Sequence, residues 1–407
     1  NGAAWSWFTG WFNLLGQVAV TAGIDFGLAS FIAAFLKLTI NLDPTPLRVI
    51  EIYGLVLLAH GLLNTFGIRL VALLNDVSVW WHVLGVIIIV TAVVIGADKL
   101  QPASFVFGEF VNNTGFSSSI YVFLIGLLLA QYTFTGYDAS AHMTEETVNA
   151  AVAGPKGIVN SIVVSLVAGW VLLVGLLFAI QDYKAVLGTS TGVPPVQIFL
   201  DAVGPTGGLL LLLIVIGAQF FCGMASVTAN SRMLYAFSRD GAVPGSQYWH
   251  VVNPRTRTPT NSIWFCVFFS FLLGLPYLWN ATAYFAVTSI AVIGLYIAYI
   301  IPIYLRLRAG NSFQRGPWHL GKWSSLVGWI AVAWVIFICI LFVLPQVSPI
   351  TPATFNYAPV AVGTVVLFAG GWWMISAKNW FKGPKVQGTP EELAAIEHEL
   401  ESLGKAQ

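Results

Sequence analysis

The sequence predicts an all-α protein, a polytopic bundle of helices that crosses a membrane many times. Of its 407 residues 57% are hydrophobic and only 9% are charged, and the mean hydropathy is +0.81. A soluble domain of this size needs far more charge to keep its surface hydrated. Apolar runs also recur that are long enough to cross about 30 Å of hydrocarbon at about 1.5 Å per residue. The net charge of +1 gives no reason to expect nucleic-acid binding.

Each of the apolar runs is predicted to be one membrane-spanning helix. The ten runs cover residues 7–36, 47–65, 70–96, 121–147, 158–180, 207–237, 261–275, 281–305, 326–344 and 359–380. A transmembrane domain over residues 1–380 and a cytoplasmic tail over residues 381–407 follow from this division. Thr389, Pro390 and Glu392 have the spacing of a helix N-terminus, so the tail is expected to contain a short amphipathic helix.

The basic residues predict how the bundle is oriented. If the segment after the fourth span faces the cytoplasm, only Lys37, Arg48, Lys99 and Lys184 of the 18 basic residues fall on the outer side. Cytoplasmic loops carry an excess of Lys and Arg, which supports this topology. An even number of spans then places both ends in the cytoplasm, in a plasma or inner membrane surrounded by lipid.

The first span contains a polar arc and a face of small residues. The arc consists of Asn13, Gln17, Thr21 and Asp25, and the small residues are Gly16, Gly23 and Gly27. Because a carboxylate is costly in hydrocarbon, Asp25 is expected to face the interior of the bundle.

The third span contains a histidine, His82, flanked by apolar residues in NDVSVWWHVLGV. An unperturbed histidine has a pKa of about 6.5 and can take up and release a proton during a cycle. A histidine that is simply hydrogen-bonded within helix packing is the alternative.

The fourth span is interrupted by the sequence QYTFTGYDASAH, which places Thr, Gly and Asp at membrane depth. Every backbone N–H and C=O in hydrocarbon needs a partner, so such a segment predicts a helix that is broken to line a polar cavity. The interruption is typical of small-molecule transporters. The candidate substrate-binding residues here are Thr133, Phe134, Thr135, Gly136, Tyr137 and Asp138.

Asp138 has two possible roles in this segment. It caps the half-helix that follows, or it carries charge for a substrate or a proton. His142 lies one helical turn further on, which allows a hydrogen bond between the two side chains. Two ligands do not make a metal site, and Cys222, Cys266 and Cys339 have no CxxC spacing, so no metal or other cofactor is expected.

The loop before the sixth span and the span itself each allow two interpretations. Pro194 and Pro195 are expected to start a short helix with Val196, Phe199 and Leu200 on one face, which is either a lid or a plain connection. Within the span, small and polar residues form a stripe that either packs tightly or lines a cavity. The stripe consists of Gln219, Gly223, Ser226 and Asn230, and Ser226 is a candidate substrate-binding residue.

Opposite charges end two spans at the predicted inner face. Glu145 and Glu146 follow the broken helix, and Arg232 and Arg239 end the striped helix. Several ion pairs between these moving elements would close a cytoplasmic gate, although each surface pair is worth only about 0 to 1 kcal/mol.

Several blocks resemble the amino acid/polyamine/organocation (APC) superfamily of secondary transporters, in particular its amino acid/choline and GABA permease branch. These blocks are FTGYDASAHMTEET, GPKGI, SRMLYAFSRDGAVP, NPRTRTPTNSI and IAYIIPIYLRL, in this order. The opening WSWFTGWFNLLGQ is similar to the third span of that branch.

The resemblance implies an APC-type fold with a 5+5 inverted repeat and twelve spans, of which this chain would supply the third to the twelfth. Phe134 would then be an aromatic gate, and the carbonyls from Thr133 to Gly136 would face a substrate amine. His82 matches a position where some superfamily members have a proton-coupling Lys. Ser226 would face His82 across the site.

The resulting expectation is a secondary active transporter, not an enzyme, that moves an amino-bearing solute such as GABA or another amino acid by alternating access. Proton symport and exchange both remain open. The alternatives are a choline or polyamine permease and a nutrient receptor built on a transporter scaffold.

Overall fold

The computed structural model describes residues 2–280 and 282–385, and the side chains of Glu146 and of residues 283–285 are outside that description. Within these residues the regular structure is helical. In chain order the α-helices are α1 (Gly2–Ile40), α2 (Pro46–Phe66), α3 (Ile68–Gly96), α4 (Ala103–Gly108), α5 (Ser119–Phe134), α6 (Ala139–His142), α7 (Ala150–Ala179), α8 (Tyr183–Leu187), α9 (Pro194–Arg239), α10 (Ser246–Trp249), α11 (Thr260–Gly274), α12 (Ala283–Ala309), α13 (Ser324–Val343), α14 (Ala358–Trp372) and α15 (Lys378–Trp380).

Ten helical segments of the described residues are long and apolar enough to cross a membrane. They coincide with the ten predicted spans, so the all-helical membrane bundle is confirmed. The predicted amphipathic helix near Thr389 lies outside the described residues. The span numbering and the inverted repeat stay predictions.

Helix α1 lies at the centre of the bundle and packs closely on α12. A side chain at Gly16 would begin 2.7 Å from the backbone nitrogen of Leu295, and one at Gly294 would begin 2.8 Å from that of Gly16. Small residues allow two membrane helices to approach until their backbones touch. Gly16, one of the three glycines predicted to form a close-packing face, therefore packs on α12.

The opposite side of α1 packs on α9, which begins at Pro194 as predicted and bends at Gly204. Gly204 has φ +72° and ψ 177°, a conformation that residues with a Cβ rarely adopt, and it is followed by Pro205. The segment before the bend is the predicted short helix, and Val196 and Phe199 of it are buried.

Helices α3, α5 and α7 expose large apolar side chains to the surroundings of the bundle. Trp80, Ile120, Leu129 and Trp170 are among them. An apolar outer surface of this extent is what a bilayer stabilises and water does not.

Candidate functional site

The predicted break in the fourth span is present. Helix α5 ends at Phe134 and α6 begins at Ala139. Between them Thr135 is extended (φ −66°, ψ 143°) and Gly136 has φ +94°. A positive φ is accessible to glycine without a steric penalty, which explains why glycine occupies this position.

The break leaves backbone carbonyls at the end of α5 without helical partners. Among the described residues, no backbone N–H donates to the carbonyls of Thr133, Phe134 or Thr135. The last carbonyls of a helix carry partial negative charge, which the aligned peptide dipoles reinforce. This end of α5 therefore favours a cation or a hydrogen-bond donor.

Asp138 lies just beyond the break and does not cap α6, because its side chain makes no capping hydrogen bond. Its carboxylate accepts a short hydrogen bond from the Tyr299 hydroxyl and a 3.2 Å bond from Gln17 Nε2. His142 Nε2 lies 2.9 Å from the same carboxylate, which confirms the predicted contact. The charge-carrying interpretation is the one that this geometry favours.

The network around Asp138 joins three elements. Gln17 comes from α1, Tyr299 from α12, and Asp138 with His142 from the broken helix. The Tyr137 and Tyr299 rings lie against each other with centroids 4.6 Å apart. Movement of α6 relative to α1 or α12 would therefore change these polar contacts.

The remaining residues of the break lie around these contacts. Phe134 is the last residue of α5 and is half-buried, and the Thr135 hydroxyl donates to the Gln131 carbonyl at 2.7 Å. The Thr133 side chain is exposed, and its hydroxyl donates to the carbonyl of Leu129 at 3.1 Å.

Ser226 is buried at the interface between α9 and α1, and it does not bond to the residues of the break among those described. Its hydroxyl lies 2.8 Å from that of Thr21, and Asn230 Nδ2 donates to the same threonine at 3.2 Å. Gln219 Nε2 donates to the carbonyl of Ile24 at 3.1 Å. The polar stripe of α9 is thus a packing surface against the polar arc of α1.

A second buried polar cluster lies further along α1. Asp25 and His60 of α2 are both fully buried, and His60 Nδ1 lies 3.1 Å from the Asp25 carboxylate. The prediction that Asp25 faces the interior is confirmed. Gly223 of the α9 stripe packs directly on the pair.

His82 lies elsewhere. Its side chain is exposed on the outer surface of α3, and its Nδ1 is 2.7 Å from the Ser78 carbonyl of its own helix. The structure does not bring it to Ser226 or to the Asp138 network. A proton-coupling role for His82 stays a prediction.

At the predicted inner face, Arg239 forms two parallel hydrogen bonds with Glu145, of 3.1 and 3.3 Å. This contact joins the segment that follows α6 to the end of α9. Arg232 Nη1 lies 3.5 Å from the Thr228 carbonyl. The Glu146 side chain is not among those described.

A large apolar cavity of about 970 Å³ lies away from the break, between α1, α11 and α14. Aromatic side chains dominate its walls, including those of Trp11, Trp264, Phe265 and Phe368. It offers few polar groups to orient a charged solute.

Comparison with known proteins places the chain in a family. The family described as "Amino acid permease" matches residues 1–367. The amino-acid permease BAT1 of Arabidopsis thaliana is 44% identical over 396 residues, which are 93% of this chain and 77% of the relative. A homologue of BAT1 from Oryza sativa is 42% identical over 93% of this chain and 76% of its own length. An uncharacterized amino-acid permease of Schizosaccharomyces pombe is 32% identical over 94% and 71%.

The chain belongs to the amino acid permease family. It is therefore an integral, multi-pass membrane transporter and not an enzyme, and the resemblance to the APC superfamily is confirmed. Membership of this family indicates that the solute moved by the permease is an amino acid.

Sequence reasoning missed several contacts among the buried polar residues. Gln17 was visible as part of a polar arc, and Tyr299 lies within the block IAYIIPIYLRL, but nothing in the sequence pairs either with Asp138. His60 gave a detectable signal as an ionisable residue inside an apolar run. Its partner Asp25 is 35 positions away, a separation that no helical periodicity connects.

Proposed function

We propose that the protein is a secondary active transporter that moves a small amino-bearing solute, such as GABA or another amino acid, by alternating access. Transport is coupled to protons or proceeds by exchange. The observation that carries this proposal is the break between α5 and α6, where carbonyls at the end of α5 accept no backbone N–H of the described residues. Discontinuous helices of this kind form the substrate sites of secondary transporters.

The ammonium group of the solute binds at the carbonyls from Thr133 to Gly136. The Phe134 ring covers the bound ammonium, because an aromatic face attracts a cation that lies within about 6 Å of its centroid. Asp138 supplies negative charge next to this position, and Thr135 and Tyr137 complete the polar wall. Ser226 contributes from α9 through its contact with Thr21 of α1.

The contact between Glu145 and Arg239 supports a cytoplasmic gate, to which Glu146 and Arg232 also contribute. The gate lies on the face that the basic loops predict to be cytoplasmic, in a plasma or inner membrane with both chain ends inside. Opening breaks the two hydrogen bonds between Glu145 and Arg239.

Uptake by the purified protein in proteoliposomes tests the proposal. Radiolabelled GABA, a panel of amino acids, choline and a polyamine are offered separately, with and without a pH gradient. Saturable uptake of GABA or another amino acid is expected. If only choline or the polyamine is taken up, the protein is a choline or polyamine permease and not an amino acid transporter. If a solute binds but shows no counterflow, the protein is a receptor.

Phe134→Ala tests the site itself. We expect most of the uptake to be lost, because removal of the ring exposes the bound cation to water. Phe123→Ala is the matched control, since Phe123 lies on the same helix with an exposed side chain. If Phe134→Ala takes up solute at the wild-type rate, Phe134 is not part of the substrate site.

A further inference from the structure

The buried pair of Asp25 and His60 lies deep within the membrane-spanning part of the protein. Both side chains have 0% exposure. At about 1.5 Å per residue, each residue lies about 20 Å from the loop that joins α1 to α2, within a hydrocarbon layer of about 30 Å. The pair is therefore an ionisable cluster in the interior of the bilayer, where such groups are costly.

A third helix encloses the pair. A Cβ atom on Gly223 of α9 would lie 2.0 Å from Asp25 Oδ1 and 2.6 Å from His60 Cε1. The centroid of the Phe220 ring, from the same helix, lies 4.5 Å from the centroid of the His60 imidazole. Because no side chain fits at position 223, α9 presses its backbone against both titratable groups.

Other titratable groups near the pair do not neutralise it. The other titratable side chains near the pair are those of Tyr53 of α2, Cys222 of α9 and, next to Tyr53, Tyr132 of α5, and none of them is basic. The Tyr53 hydroxyl donates to the Ser270 carbonyl of α11. Among the described residues, His60 is the only basic side chain within ion-pair distance of Asp25.

The geometry leaves one nitrogen ready to accept a proton. When His60 Nδ1 donates to the Asp25 carboxylate, Nε2 of a neutral imidazole carries a lone pair. Nε2 is buried and has no hydrogen-bond partner among the described residues. In this state the pair has a net charge of −1 in a medium that strongly destabilises an uncompensated ion. A proton bound at Nε2 converts it into a neutral imidazolium–carboxylate pair.

We propose that Asp25 and His60 together bind one proton in the membrane interior and release it in each transport cycle, which makes them the proton-coupling site of the permease. The proton comes from water, forms an N–H bond at Nε2, and returns to water when that bond breaks. This inference rests on the proposed function, because it selects the proton-coupled form of transport.

Polar groups lead from the pair toward the loop before α11. Asn64 Nδ2 donates to the His60 carbonyl at 3.0 Å, and the Thr228 hydroxyl donates to Asn64 Oδ1 at 2.6 Å. Further along, the Thr258 hydroxyl donates to the Thr65 carbonyl at 3.2 Å. These buried hydrogen bonds form the polar part of the interior between the pair and that surface.

The polar arc of α1 connects the pair to the substrate site. Gln17 bonds to Asp138, Thr21 bonds to Ser226, and Asp25 bonds to His60, at successive turns of the same helix. Gln17 and Asp25 are separated by about 12 Å along the helix axis. At this distance and in low dielectric, a change in the charge of the pair alters the electrostatic potential at Gln17, whose side chain bonds to Asp138.

Proton movement and substrate exchange are measured separately in proteoliposomes that contain the full chain. The wild-type protein is expected to carry protons together with the amino acid that the uptake panel identifies. In His60→Gln and Asp25→Asn, accumulation driven by a pH gradient should fall by about tenfold or more, within the usual range of coupling between two sites. Counterflow exchange, which needs no net proton movement, should remain within about twofold, a far smaller change than that coupling range.

His82→Ala is the control, because His82 is exposed on α3. It should keep the wild-type number of protons per solute if Asp25 and His60 are the coupling site. A loss of coupling in His82→Ala, with coupling retained in His60→Gln, would transfer the role to His82 and overturn the inference.

Failures of the two proposals are distinguishable. Wild-type protein that moves no amine-bearing solute contradicts the proposed function. Wild-type protein that moves the solute without protons leaves transport intact and overturns the inference about the pair.

If neither variant folds, nitrogen NMR of the wild-type protein, with ¹⁵N label in its six histidines, still tests whether a buried histidine takes up a proton. One buried histidine must change the protonation of its Nε2 over the pH range in which transport is proton-coupled. The absence of such a histidine overturns the inference.

Discussion

At the scale of single residues, Asp138 determines how the broken helix meets its neighbours. Its carboxylate receives hydrogen bonds from Gln17 and Tyr299 and lies in contact with His142. A charged acceptor with several donors makes stronger bonds than a neutral one. The residue therefore holds α6 against α1 and α12, next to the proposed substrate site.

We expect Asp138→Asn to reduce solute uptake by about tenfold or more, because the loss of one or two charge-assisted bonds is worth about 1.5 to 3 kcal/mol each. The amide also places its own donors opposite those of Gln17 and Tyr299. Initial uptake rates measure the effect, and Asp98→Asn, at an exposed aspartate, is the control. Equal rates in the two variants would show that the charge at position 138 is not used.

Contacts between residues close in sequence were easier to predict than contacts between residues that folding brings together. The spacing of Asp138 and His142 predicted their contact, since residues four apart share a helix face. The bond from Gln17 to Asp138 spans 121 positions and the contact of His60 with Asp25 joins two helices. Such contacts depend on the rotation of each helix in the bundle, which one sequence does not determine.

At the scale of elements, Gly136 makes the break possible. Its φ is +94°, and no atom lies within 4 Å of the position that a Cβ would take. A substitution therefore acts through the backbone alone. In contrast, Gly126 of α5 has a helical backbone and equally open surroundings, so it provides a matched control.

Gly136→Ala should destabilise the break by about 1 to 2 kcal/mol, the cost of a left-handed conformation for a residue with a Cβ. We expect weaker solute binding and slower uptake, because the backbone moves away from the geometry that leaves the carbonyls open. Gly126→Ala should leave both unchanged. Binding isotherms and uptake rates measure the two effects, and parallel losses in both variants would argue against a specific role of the break.

The contact between Glu145 and Arg239 predicts a gate that responds to charge reversal. Glu145→Arg or Arg239→Glu alone should shift the transporter toward the state that is open at the face where this pair lies. The double exchange should partly restore the wild-type populations of the two states. An exposed pair is worth about 1 kcal/mol or less, so each single change is expected to alter rates by about fivefold at most. Rates at low and high salt measure this, because salt screens exposed charges. Additive effects in the double variant would exclude a direct pair.

The helices themselves were predictable because their length is set by the thickness of the bilayer. The ten apolar runs of the sequence coincide with the ten helical segments. The short helix before Gly204 was predicted, but the positive φ of Gly204 and the 3₁₀ turn of Thr144–Glu146 were not, since local turns depend on φ values and contacts that composition does not report.

At the scale of the whole molecule, two water-exposed ends of the bundle respond to acid in opposite directions. At the loop after α1, hydrogen bonding from Lys37 lowers the pKa of Asp43 below its usual range. At the end of α9, burial raises the pKa of Asp240 even though the backbone N–H of Lys385 donates to it. Lowered and raised pKa values of acids in the folded state have opposite effects on stability.

For Asp43, stability is present above the unfolded-state pKa of about 3.9 and is lost as the pH falls through the lower folded-state pKa. For Asp240, the ionised carboxylate opposes folding at neutral pH, and this penalty is relieved as the pH falls through its raised pKa. Asp43→Asn should therefore lower the melting temperature at neutral pH, whereas Asp240→Asn, which keeps an acceptor for Lys385, should raise it. Both shifts should be about 2 °C or less and should vanish in strong acid. Thermal unfolding in detergent, from neutral pH to strong acid, measures both shifts. Shifts of the same sign in the two variants would contradict the assignment of opposite environments to Asp43 and Asp240.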